Sequence, residues 1–195
     1  MPYNGGYSLT KVDRKFDRMK QFISHLCCLL LISVVTGCSP KYDWREFRSQ
    51  ELPLIAVFPT KPATHTRDIS LNQESLKLHM IAADVNQISF AIAYTKLDES
   101  NSDLMGLKQR QQRVLDSMQE GMLKNIQAQV LAVPPVGAPK NTITAFGQGK
   151  NGHKIQLVGR FTQHGPWLIQ IVMIGDAKQF TPEIMDMFFA SIKLS

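Results

Sequence analysis

Thiols, imidazoles and carboxylates are the groups in this chain whose spacing could do chemistry, and each can be tested against the pattern its chemistry needs. The three cysteines, Cys27, Cys28 and Cys38, all lie in the first fifth of the sequence. A thiolate there could attack, bind a metal or be alkylated. His65, His79, His153 and His164 follow them, and no two stand at the HxH or HExxH spacing that puts two imidazoles on one ion. A metal site would therefore need His, Asp and Glu to converge from distant segments, and surface or turn positions are expected for all four. Gly-x-Ser-x-Gly does not occur. Gly147-Gln148-Gly149 and Gly149-Lys150-Asn151-Gly152 fall within a hairpin pattern, not between a strand and a helix where backbone N–H groups would cradle a phosphate, so they read as turn glycines. Asp98-Glu99 precedes a helical pattern and reads as an acidic approach to the positive end of a helix dipole, not as an acid–base pair. The sequence thus predicts no catalytic residue, no metal and no cofactor.

Cys38 is the exception, because of what precedes it. Lys11, Arg14, Lys15, Arg18 and Lys20 lead into the apolar run from Phe22 to Val35. A basic segment followed by a short apolar one is the pattern of an export signal. Fourteen residues of helix rise only about 21 Å, short of the roughly 30 Å hydrocarbon core, so a membrane span is disfavoured. Val35-Thr36-Gly37-Cys38 then resembles the lipobox of bacterial lipoproteins. The residue types suit that chemistry: Thr36 and Gly37 let a peptidase approach the backbone, and a thiol can take a diacylglyceryl group as a thioether. Cys27 is no rival, since Leu26 before it is too large. The resemblance implies a signal peptide over residues 1–37 with Val35, Thr36 and Gly37 read by the peptidase, a lipidated Cys38, and a tether over residues 38–43. It also implies loss of Cys27 and Cys28 and no free thiol in the product. Met19 opens a more usual signal peptide than Met1, and residues 1–18 are either part of it or an over-long start. Ser39, where inner-membrane retention would show Asp, implies the outer membrane with the body facing the periplasm. Two or more acyl chains would give a lasting anchor, since each buried methylene contributes about 0.8 kcal/mol.

Charge narrows the partners. Of the formal net charge of +6, half lies before Cys38, so what remains is a weak +3 without a dense Lys/Arg run. Nucleic acid is not an expected partner. An apolar fraction of 44% with 19% charged residues belongs to a folded domain rather than a disordered chain.

The elements that must position any site follow from the periodicity of residues 44–195, read as a single domain. Strands are expected at Tyr42–Arg48 and Leu52–Phe58, the second ended by Pro59 and Pro62, and then at His65–Leu71, Ser75–Val85 and Ile88–Thr95. Leu76, Leu78, Met80 and Ala82 alternate with Lys77 and His79, and Ile88, Phe90, Ile92 and Tyr94 with Ser89, Ala91, Ala93 and Thr95. That period of two predicts an antiparallel meander with one core face. From Ser102 to Ala128 the apolar spacing changes to three and four, through Leu104, Leu107, Val114, Leu115, Met118, Met122 and Ile126, which predicts one long amphipathic helix capped by Ser102 or Asn101. Its Lys/Arg/Gln side reads as a solvated face. Val133–Pro139 is an extended connector. Three strands follow, Thr142–Gln148, His153–Gln163 and Trp167–Ile174, with tight turns at Asn151-Gly152 and His164-Gly165. Thr181-Pro182-Glu183 opens a short closing helix with Ile184, Phe188 and Ile192 on its buried stripe. Trp44, Trp167, Phe58, Phe90, Phe161, Phe188 and Phe189 are expected in the core. The fold class is α+β, an antiparallel sheet with both helices packed on it.

The strand pair entering Phe58-Pro59-Thr60-Lys61-Pro62, the helix, the hairpin ending in Trp167–Met173 and the closing Phe188–Leu194 segment resemble the PsbP-like or DcrB-like group of small secreted and lipid-anchored domains. The resemblance implies an accessory or binding role and transfers no site residue. The resulting expectation is a non-enzymatic envelope module with a protein partner. A pocket between helix and sheet for a small molecule is its rival. An envelope hydrolase is a third reading, if His79 or His153 meets carboxylates in a cleft.

Overall fold

The computed structural model describes residues 41–71, 74–98, 104–149 and 152–195, and within them the period-two segments are strands and the period-three-to-four segments helices. The lipobox with Cys38, the caps Asn101 and Ser102, Glu99, the turn residues Asn72 and Gln73, and Asn151 lie outside the described residues. The strands are β1 (Arg45–Arg48), β2 (Leu54–Phe58), β3 (Ala63–Leu71), β4 (Glu74–Val85), β5 (Ile88–Lys96), β6 (Gln129–Val130), β7 (Ile143–Gln148), β8 (Lys154–His164), β9 (Trp167–Asp176) and β10 (Lys193–Leu194). The helices are α1 (Leu104–Asn125) and α2 (Pro182–Ser191). Among the described residues, seven strands form one antiparallel sheet in the order β3-β4-β5-β9-β8-β7-β6, and a second sheet has the order β1-β2-β10. Residues 41–195 make one compact unit. No helix among the described residues is long and apolar enough to cross a membrane.

The α+β class is as the sequence predicts, but the single meander with one core face is not. Two meanders, β3-β4-β5 and β6-β7-β8-β9, meet where β5 pairs with β9. The register of β4 on β5 sets Ile81 opposite Ile92 and Ala83 opposite Phe90, while Met80 lies opposite Ala93. Opposed residues share a face. The apolar row Leu76-Leu78-Met80 and the apolar row Phe90-Ile92-Tyr94 therefore point to opposite sides of the sheet, and each needs its own cover. α1 covers the first, where Leu76, Leu78, Ala93, Leu97 and Leu168 pack with Val114, Leu115 and Met118. The β1-β2-β10 sheet and α2 cover the second, where Leu54, Ala56 and Phe58 meet Ile81, Phe90, Ile171, Met173, Phe188 and Phe189. Each of the two patterns alternates correctly by itself; only pairing reveals that they are out of phase.

α1 has 22 residues, and its expected apolar stripe is buried only in the middle. Val114, Leu115 and Met118 are buried, Leu107 and Met122 partly so, and Leu104 is 81% exposed. The polar Gln111 is buried with them and donates to the carbonyl oxygen of Gly165 at 3.0 Å, a satisfied position that apolar periodicity cannot flag. The helix ends at Asn125, short of Ala128. Gln127 there has φ 49°, and the Ala128 N–H turns back to the Leu123 carbonyl at 2.9 Å.

α2 starts as its sequence requires: Thr181 caps it, its hydroxyl accepting from the Ile184 N–H, and Pro182 occupies the first turn. The Glu183 carboxyl is held below its usual value by the Thr181 hydroxyl and its own backbone N–H. Ile184, Met185, Phe188 and Phe189 are the buried side, and Ile192 sits at the C-cap, only partly buried. Three smaller expectations are also corrected. The β8–β9 loop is Gly165-Pro166 rather than His164-Gly165: Gly165 takes φ 56° and Pro166 cannot, which suits a II′ hairpin turn. Trp44, Trp167 and Phe161 lie at the margins of the core, half-buried. Gly147 is no turn glycine but a residue of β7, where a Cβ would stand 2.1 Å from the Ile126 carbonyl oxygen, so the strand passes directly against the end of α1.

Candidate functional site

Two concavities bear on the readings that the sequence leaves open. The first collects His79. Thr66 lies directly across from it on β3 and Tyr94 directly across on β5. Its Nδ1 meets the Thr66 hydroxyl at 3.2 Å, and its ring stacks on Tyr94 with centroids 5.1 Å apart and planes 9° from parallel. Its Nε2 lies 3.3 Å from Glu51 Oε2, in the loop between β1 and β2. Ser49 of that loop meets the Tyr94 hydroxyl at 3.1 Å. A hydroxyl, an imidazole and a carboxylate in line is the order of a hydrolytic triad. Its origin here is the strand register: two of the three partners of His79 are the residues a β-ladder places opposite it, and the third comes from the loop that ties the small sheet to the large one. The cluster is the seam between the sheets. His65 and His153 are exposed, His164 is partly buried at the end of β8, and no group of three His, Cys, Asp or Glu able to hold a metal occurs among the described residues. Asp98 is exposed and its carbonyl oxygen accepts from Arg110 Nη1 at 3.1 Å.

The second concavity lies between α1 and strands β3, β4 and β5, with a volume of about 520 Å³. That is within the range of ligand pockets, roughly 300–1,000 Å³. Its position follows from how α1 is held. Near the helix start, Arg110 grips Glu74 at the head of β4 through two parallel bonds, Nε to Oε1 at 2.9 Å and Nη2 to Oε2 at 3.0 Å. The hydrogen bond from Arg110 holds the Glu74 carboxyl below its usual value. One residue on, Gln111 is tied to the β8–β9 turn. These two anchors fix the first part of α1, and the chain just past its end is fixed against β7, where the Gln148 N–H donates to the Ile126 carbonyl at 3.1 Å. The second half of the helix, from Ser117 to Asn125, forms the concavity's wall, and opposite it lie Ile69, Leu71, Leu78, Met80, Ala91 and Ala93. Met118 and Met122 add two flexible thioethers to that of Met80, a lining that adapts to an irregular occupant. Arg67 stands at the rim, and Gln170 and Asn125 supply amides.

Gly121, in the middle of this wall, has a clear bearing. Glycine in a helix interior is about 1 kcal/mol less favourable than alanine. Close approach of a neighbour is the usual structural reason for one, but a Cβ at Gly121 would meet nothing within 4 Å. Packing does not account for this residue, and it borders the open space.

Sequence reasoning placed Met80, Met118 and Met122 on buried stripes and missed Arg67, Gly121 and Gln170, which carry no periodic signal. No family model matches the chain, and comparison with curated proteins and with solved structures gives no match.

Proposed function

We propose that this chain is the precursor of a lipid-anchored envelope protein whose folded body is a non-enzymatic binding module, and that the module holds a small, mainly apolar molecule between α1 and the sheet. The observation that carries the binding reading is the concavity itself, an apolar space bordered by a helix glycine that no neighbour requires. Anchoring at Cys38, export through residues 1–37 with Val35, Thr36 and Gly37 at the cut, an outer-membrane address facing the periplasm, and kinship with the PsbP-like or DcrB-like domains belong to the same reading. They rest on the sequence pattern. So does the assignment of α1 as the one long amphipathic helix of such a domain. A tethered binder is confined to one surface, which raises its effective concentration toward neighbours there and asks for no catalytic residue.

A protein partner is the second reading, and one observation favours it: β3 is an edge strand of nine residues, exposed over most of its length, to which an extended segment could add. The hydrolase reading weakens, since the contacts of His79 with Thr66 and Tyr94 follow from register and its contact with Glu51 joins two sheets.

The anchor is tested separately from the pocket. Cys38→Ala is expected to give an unprocessed or soluble species, read by detergent partitioning and by mass spectrometry of the N-terminal peptide. Unchanged partitioning and mobility would remove the lipoprotein half of the proposal and leave the binding half standing.

A further inference from the structure

We infer that the occupant of the groove is a long-chain carboxylate, its alkyl chain lying along α1 and its head held by Arg67. The inference deepens the binding reading above and rests on it. Three observations lead to the ligand class. The walls are mostly apolar, with Ile69, Leu71, Leu78, Met80, Met118 and Met122 among their residues, so the body of the ligand is hydrocarbon. The volume, about 520 Å³, has room for one alkyl chain, a methylene taking roughly the 30 Å³ that water occupies in its liquid. The charge sets its head. Arg67 lies on the same face as Leu78, its partner across the β3–β4 ladder, and borders the apolar space. Among the described residues it makes no ion pair, whereas Arg45, Arg48 and Arg110 each hold a carboxylate. A guanidinium at the mouth of an apolar groove, with its fork free, matches a carboxylate in charge and in planar geometry.

The choice of a small occupant over a partner helix follows from Gly121. A docking helix needs a long continuous trough, whereas this space is a recess bordered by a helix position that lacks a side chain, Gly121. A single alkyl chain fills such a local recess.

The test uses the full chain in its own envelope, labelled with a diazirine analogue of palmitic acid and with the matched fatty alcohol, cross-linked peptides being identified by mass spectrometry. The acid is expected to label peptides of β3 and of the second half of α1, half-saturating at about tenfold lower concentration than the alcohol. Arg67→Gln should remove that tenfold preference while leaving labelling by the alcohol unchanged. Gly121→Leu should abolish labelling by both probes with no loss of thermal stability, because leucine is the better helix former and the space for it exists. Equal labelling by acid and alcohol, unaffected by Arg67→Gln, overturns the carboxylate assignment and leaves the groove as a binding site. Failure of both probes to label the groove in the unaltered chain overturns the apolar-ligand reading itself. Undiminished labelling in a stably folded Gly121→Leu chain overturns the position assigned to the ligand.

Discussion

The two faces of the large sheet are built from the same strands and finished differently. On the α2 face, Phe58, Phe90, Phe188 and Phe189 are at most 2% exposed and meet edge to face, with Phe188 lying 5.6 Å from Phe58, 5.4 Å from Phe90 and 5.4 Å from Phe189 between centroids. Such T-shaped contacts add roughly 0.5–1.5 kcal/mol each beyond their area. On the α1 face the contacts are aliphatic and thioether, the helix is held near its start by Arg110 and Gln111 and just past its end against β7, and a recess remains between them. Rings interlock at the centre of the first face, whereas on the second a recess lies between helix and sheet. A sheet with two covered faces can devote one of them to rigidity and leave the other adaptable.

The largest effect should come from opening the aromatic cluster. Phe188→Ala removes the ring on which three others pack and should cost about 3–5 kcal/mol, whereas Met118→Ala, beside a space that already exists, should cost about 2 kcal/mol. Urea unfolding of both variants checks the ordering. Equal losses would mean that the α1 face is packed as tightly as its opposite.

A smaller effect is expected where the α1 face is pinned at its far end. Gly147→Ala puts a Cβ against the Ile126 carbonyl, a backbone atom that cannot swing aside, and should destabilise by about 1–3 kcal/mol. The same substitution at Gly121 meets open space and should stabilise by up to about 1 kcal/mol. Thermal unfolding of the pair gives opposite signs if the two glycines differ as described.

The smallest effect concerns the clamp at the start of α1. Because the hydrogen bond from Arg110 lowers the Glu74 pKa in the folded state from its ordinary 4.5, the clamp's contribution is fully present above that value. It is lost as the pH falls through the depressed folded value. Glu74→Gln should cost no more than about 1 kcal/mol at neutral pH. It should also leave stability less dependent on pH in the acid range, an outcome read from unfolding midpoints at a series of pH values below 5. An unchanged acid slope would show that Glu74 titrates no differently in the two states.

Local physics made much of this legible in one dimension. Alternation located the strands because successive side chains on a strand point to opposite faces, and Thr181-Pro182 located the start of α2 because a cap hydroxyl and a ring without an N–H both suit a first turn. The pairs formed by small polar groups were not legible. Glu74 meets Arg110, and Gln111 meets the Gly165 carbonyl, across 36 and 54 residues of chain, and no local pattern encodes such a distance. The same holds for His79, whose sequence neighbours say nothing of Glu51.

What the sequence alone determines is therefore what acts within a few residues: the type of the longer regular elements, most turns, and the α+β class. Tertiary structure decided which face each apolar row serves, because a one-residue difference of phase between β4 and β5 sends two identical-looking patterns to opposite sides of the sheet. It also decided that a helix glycine borders a recess and that Arg67, which makes no ion pair among the described residues, stands at its rim. Space and partnership are relations between distant segments, and only folding brings those segments together.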